Sequence, residues 1–232
     1  MATTEELKDW YTNLDDGVAH SRRCYVYLPE NLAGMRVLDV NCRNGKGAYK
    51  LSEAVGANGL VLGVTLTEDQ TAAARAGEVA ALARSGLETS NMSFVQAYPE
   101  DLSAVAADEF FDVVYVNSAL NVARDPRAVL AEARRVLVPG GRLVLAGILA
   151  DGPRDEGVLE AARLMGNCVQ AAPEATAFLE ELRALGFQEL RMVSREPVAP
   201  ETGVDDATHA ATVDTPEAVT YSAVVLEALR TR

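Results

Sequence analysis

The chain has 232 residues, 49% hydrophobic and 24% charged, a length and balance that fit a globular domain with a core of its own. Its 21 Lys and Arg against 34 Asp and Glu give a net charge of −13, and a field of that sign repels phosphate backbones, which argues against a nucleic-acid partner. Three cysteines without a Cys-x-x-Cys pair and only two histidines, His20 and His209, argue against a disulfide framework or a structural zinc site.

The first residues, Met1 to Glu6, carry no apolar leader, and the longest apolar run, Leu143 to Ala150, is too short to span a bilayer. The expectation is a cytoplasmic protein with free thiols and no membrane segment. Glu5 to Leu14 reads as a short amphipathic helix around Leu7, Trp10 and Tyr11, and Tyr25 to Pro29 adds an aromatic patch. Residues 1–35 are thus expected to form a cap over a core of residues 36–150, with residues 151–232 completing the same sheet.

From Arg36 the pattern becomes regular. Arg36 to Asn41 is a short apolar run suited to a buried parallel strand, Gly45 to Val55 is helical, and Leu60 to Thr65 is a second strand. Thr67 followed by Gln70 has the form of a capping box opening an Ala-rich helix that runs to Ala83. Ser93 to Ala97 and Phe111 to Asn117 are strands three and four. Pro126 then starts a helix with Val129, Leu130, Ala133, Val136 and Leu137 at helical spacing. Val138-Pro139-Gly140-Gly141 breaks it, and Arg142 to Ala150 is strand five. Helices over Val158–Gln170 and Thr176–Leu185 follow, then strands over Phe187–Arg195 and Val219–Leu226 that can pair antiparallel. The expected fold is α/β: a doubly wound, mostly parallel, seven-stranded Rossmann-like sheet.

One stretch organises this pattern. Val37-Leu38-Asp39-Val40-Asn41-Cys42-Arg43-Asn44-Gly45-Lys46-Gly47 ends a strand in an acid, turns, and opens a helix. That geometry aims backbone N–H groups and a helix N-terminus at a ligand. It is not a phosphate-binding P-loop, because Val40 stands where the first glycine belongs and Gly47 replaces the Ser or Thr. No Gly-x-Ser-x-Gly elbow occurs, so a hydrolase triad has no support.

With Gly63-Val64 ending strand two, Phe111-Asp112-Val113-Val114, and Val136-Leu137-Val138-Pro139-Gly140-Gly141, the chain resembles the class I S-adenosylmethionine-dependent methyltransferases. Within that superfamily it is similar to the arsenite methyltransferases. The likeness rests on Thr67-Glu68-Asp69-Gln70, Tyr98-Pro99-Glu100-Asp101-Leu102, Asn117-Ser118-Ala119-Leu120-Asn121, Gly166-Asn167-Cys168 and Tyr221-Ser222-Ala223. The resemblance implies S-adenosylmethionine as cofactor, with Asp39, Asn41, Arg43, Gly45, Thr65, Leu66, Pro99, Glu100 and Asn117 around it. It also implies acceptor-side positions at Cys24, Cys168, Ser118 and Asn121, thiolates being suited to a soft atom.

Two departures from the superfamily pattern bear on that cofactor. Asn41 and Arg43 stand where the loop is expected to carry glycine, and Thr65 stands where a carboxylate would accept both ribose hydroxyls. A hydroxyl cannot replace that bidentate, charge-assisted pair. Three outcomes are open: a pocket collapsed and filled by Arg43, a preference for a more anionic ligand, or weak binding of the usual cofactor. The function expected is therefore a methyltransferase-fold enzyme on a small soft-atom or specialised-metabolite substrate, with impaired or altered cofactor binding. The alternative is an inactive pseudo-methyltransferase serving as a binding or regulatory subunit, as a homodimer or paired with an active paralogue.

Overall fold

The structure, a computed structural model, describes residues 2–14, 27–117, 119–199 and 219–231. Seven strands form one sheet in the order β3-β2-β1-β4-β5-β7-β6. They are β1 (Arg36–Val40), β2 (Leu60–Thr65), β3 (Met92–Gln96), β4 (Phe111–Asn117), β5 (Leu137–Asp151), β6 (Phe187–Val198) and β7 (Thr220–Arg230). β3 to β5 pair in parallel, and β7 runs antiparallel between β5 and β6. The expected mostly parallel sheet is the one observed.

Side-chain alternation along the central strands builds two cores. Leu38, Val40, Val114 and Val116 pack with Val129, Leu130 and Val136 of α5 (Pro126–Val136) and with Phe178 and Leu182 of α7 (Ala175–Ala184). On the other face Val37, Val61, Val113 and Tyr115 pack with Ala48, Leu51 and Val55 of α2 (Lys46–Val55) and with Ala74 and Ala81 of α3 (Glu68–Ser85). Burying both faces explains why these strands are apolar throughout. Between β4 and α5 lies a short helix, α4 (Ala119–Val122), that the hydrophobic pattern did not signal.

Three local readings are corrected. The Val138-to-Gly141 segment does not separate helix from strand, because Leu137 already pairs with Phe111 and the register then shifts before Val113 meets Arg142. The extra residues bulge outward, with Gly140 at φ 79°, and β5 continues. Helix α6 (Glu156–Leu164) stops well short of Gln170. Gly166 takes φ 68° as its left-handed terminator. Asn167 Oδ1 then accepts the N–H groups of Val169 and Gln170, so Cys168 sits in an Asn-braced turn rather than on a helix. In the capping box, Thr67 Oγ1 accepts from Gln70 N at 3.2 Å as expected. The return bond from Gln70 Oε1 goes one residue earlier, to the N–H of Leu66 at 3.1 Å.

The first helix, α1 (Thr4–Asn13), has the full box: Thr3 and Glu6 exchange side chain-to-backbone bonds. Its Leu7 and Tyr11 are buried with Tyr98, and Trp10 Nε1 donates to the Val122 carbonyl at 3.1 Å. No described helix is long and apolar enough to cross a membrane.

Candidate functional site

β1 and β4 are neighbours, while the chain leaves β1 for α2 on one face and β4 for α4 and α5 towards the other. In such sheets the crevice at the carboxyl ends of these two strands is where ligands bind. The loop after β1 enters that crevice. Its backbone is left-handed at alternate residues: Asn41 at φ 58°, Arg43 at φ 53° and Gly45 at φ 80°. Left-handed geometry costs an L-residue about 1–2 kcal/mol, less for Asn, whose side chain tolerates it. The loop thus takes a glycine-type path although two of the three residues carry a Cβ.

Gly45 has no such latitude. A Cβ there would lie 2.8 Å from the Tyr49 ring. The Tyr49 hydroxyl donates to the Ala74 carbonyl at 2.6 Å, tying the loop to α3. Gly45 also stands at the N-cap of α2 without a side-chain hydrogen bond, which leaves that helix start open to a ligand. Beneath the loop, Cys42 is buried against Gly63, where a Cβ would come within 2.7 Å of its sulfur. Burial, and then the charge of Asp39, push the Cys42 thiol up, so it is a packing residue.

Asp39 is the unusual group. It is 2% exposed, its Oδ2 has no hydrogen-bond partner, and burial alone pushes its carboxyl up to about 7. Two residues on, Asn41 Oδ1 is likewise buried and without a partner. Buried polar atoms are paired in the great majority of cases, so two orphaned acceptors in one crevice loop call for a donor. An amino-acid-bearing cofactor fits this end of the site.

The end of β2 is different. Thr65 is fully buried, its Oγ1 lying 2.5 Å from Thr71 Oγ1 and 3.3 Å from the Val95 carbonyl. Its hydroxyl is used inside the β2–α3 corner. Leu66 follows, its N–H held by Gln70 and its carbonyl by Gln96, and packs among Leu7, Tyr11 and Tyr98.

Pro99 is buried in the turn closed by Tyr98 and Asp101. Beside it, Glu100 is buried and fully engaged. Tyr11 Oη donates to its two oxygens at 2.9 and 3.0 Å, and the backbone N–H groups of Arg124 and Asp125 donate at 3.0 and 3.4 Å. Burial raises the Glu100 carboxyl, and those donors oppose the rise. The Tyr11 ring stacks on Tyr98 with centroids 5.7 Å apart, and burial lifts its phenol well above the usual range. Glu100 therefore docks α1 onto the crevice rim. The sequence reading missed Tyr11 and Arg124 here, since nothing local to either links it to Glu100.

Of the positions expected on the acceptor side, Asn121 and Cys168 both lie by Ile148. Asn117 ends β4. Asn121 is buried, donating to the Ile148 carbonyl at 2.9 Å and accepting its N–H at 3.2 Å, which pins α4 to β5. Cys168 is buried among Val122, Ile148, Ala150 and Tyr221. The turn that carries it is held by Arg154, which donates to the Gln170 and Ala172 carbonyls and lies over the Tyr221 ring. Cys24, Ser118, His20 and His209 lie outside the described residues. Among the described residues no group of His, Cys, Asp and Glu is arranged to hold a metal ion.

Comparison with known proteins agrees with this arrangement. The arsenite methyltransferase of Aquipseudomonas alcaligenes is 36% identical over 177 residues, covering 76% of this chain and 51% of the relative. That of Homo sapiens is 30% identical over 172 residues, covering 74% and 46%. The chain spans about half the length of the curated relatives it matches. Among solved structures, the arsenic(III) S-adenosylmethionine methyltransferase CrArsM of Chlamydomonas reinhardtii superposes with a TM-score of 0.78 at 26% identity, covering 99% of this chain and 75% of that one. A family model described as a methyltransferase domain matches residues 31–197, and with the seven-stranded sheet and the glycine-path loop after β1 in place, the chain belongs to the methyltransferase domain family.

Proposed function

We propose that this chain is an S-adenosylmethionine-dependent methyltransferase of the arsenite-methyltransferase kind that grips its cofactor mainly at the methionine end. The observation that carries this reading is the loop backbone. The left-handed conformation at Arg43 carries a cost that Asn41 largely avoids, and costs of this sort are concentrated at ligand sites. Asp39, the loop N–H groups and the open start of α2 would hold the methionine moiety, and the cofactor would supply an activated methyl group. The chain itself contributes positioning and exclusion of water. The ribose end is weaker, because the Thr65 hydroxyl is committed to the β2–α3 corner. The acceptor is a small soft-atom or specialised-metabolite substrate, with Cys168 and Cys24 as its thiols and Asn117, Ser118 and Asn121 on that side of the crevice.

The commitment of Thr65 also favours a second reading, a non-catalytic subunit that keeps the fold but not the cofactor. Calorimetric titration of S-adenosylmethionine and S-adenosylhomocysteine into the whole chain separates the two. Micromolar binding is expected, tightening about tenfold or more in the Arg43→Gly, Thr65→Asp double variant as a carboxylate is regained. Absence of binding to the wild type, restored in the double variant, would overturn the enzyme reading in favour of the subunit.

A further inference from the structure

We propose that Asn41 is itself a ligand contact and that, with Asp39, it selects a nucleoside carrying a primary ammonium group. This rests on the cofactor reading above and concerns a side chain that the superfamily pattern, with glycine there, does not possess. Asp39 Oδ2 and Asn41 Oδ1 are both acceptors, both buried and both without a donor. They stand two residues apart at the end of one strand, in the crevice loop. A ligand that satisfies them must bring N–H or O–H groups, and a carboxylate beside an amide oxygen favours a cation. An ammonium offers three donors from one atom.

Position 41 could meet the backbone demand with glycine alone. Asparagine meets it too, being the residue after glycine most at ease at φ 58°, and adds an acceptor where glycine has none. The same side chain therefore preserves the loop's path and offsets some of the grip missing at Thr65. Recognition shifts from the ribose to the amino-acid end of the ligand.

Binding, measured by calorimetry, tests this without any turnover. The probes are S-adenosylhomocysteine and 5′-methylthioadenosine, which share the thioether nucleoside but differ in the amino-acid end. Asn41→Gly should weaken S-adenosylhomocysteine about tenfold and leave methylthioadenosine within about twofold. Asn41→Asp, which keeps an acceptor and tolerates the same backbone, should retain S-adenosylhomocysteine binding. If Asn41→Gly binds S-adenosylhomocysteine as tightly as the wild type or tighter, Asn41 is a spectator or an obstruction and the inference fails while the cofactor reading stands. Equal weakening of both probes would mean general loop damage and would also overturn it. A wild type that binds neither probe removes the cofactor reading and this inference together.

Discussion

Two buried carboxylates stand at the same end of the sheet and live under opposite conditions. Glu100 has every oxygen engaged: Tyr11 from α1 and two backbone N–H groups at the start of α5 converge on it. Asp39, one crevice wall away, has an oxygen with no partner and a carboxyl that burial pushes up to about 7. The first is a structural joint. The second is held at a cost to the fold, and such a cost is tolerated where a ligand repays it.

The largest expected effect breaks the joint. Glu100→Ala leaves the Tyr11 hydroxyl and two N–H groups without an acceptor and should cost about 4 kcal/mol. Urea unfolding should show the loss, and a Glu100→Ala protein as stable as the wild type would refute the structural role.

Asp39→Asn should act in the other direction. A folded-state carboxyl raised from 3.8 to about 7 gives stability that is fully present below about pH 4 and lost as pH climbs to about 7. Removing the charge should therefore stabilise the chain by about 4 kcal/mol at pH 8 and by almost nothing near pH 3.5. The same variant should lose S-adenosylhomocysteine binding. Unfolding curves that shift equally at both pH values would contradict the account of Asp39.

The smallest effect concerns the end of β2. Thr65→Val keeps the shape and deletes the hydroxyl shared with Thr71 and Val95, so a loss of about 1 kcal/mol is expected. Affinity for S-adenosylhomocysteine should stay within about twofold, because that hydroxyl faces the β2–α3 corner. A large loss of affinity would place Thr65 in the ribose site after all.

Much of this was legible in the residues. Apolar runs located the strands, the central ones because burial on two faces leaves few other ways to write them. Thr67 and Pro126 marked helix starts through local chemistry, and both are used as such. Errors arose where a single residue redirects the chain. Gly166 and Asn167 ended α6 early, and the bulge at Gly140 let β5 run on from Leu137. Pattern reading averages over such positions, whereas a left-handed residue acts alone.

Residue order and type were enough to give the class of the fold, the loop that opens α2 at the crevice, and the unusual residues Asn41, Arg43 and Thr65. These follow from periodicity and residue type, which are local properties. The conformation and contacts of those residues came from packing in three dimensions. Whether Asn41 and Arg43 abandon the glycine path or adopt it depends on a backbone held by Cys42, Tyr49 and the strand beneath, and they adopt it. Whether Thr65 faces the crevice or the corner depends on Thr71 and on Val95 of a neighbouring strand. The role of Glu100 depends on Tyr11, 89 residues away in the chain. Hydrogen-bond satisfaction is a property of neighbours in space, and it separates Asp39 from Glu100.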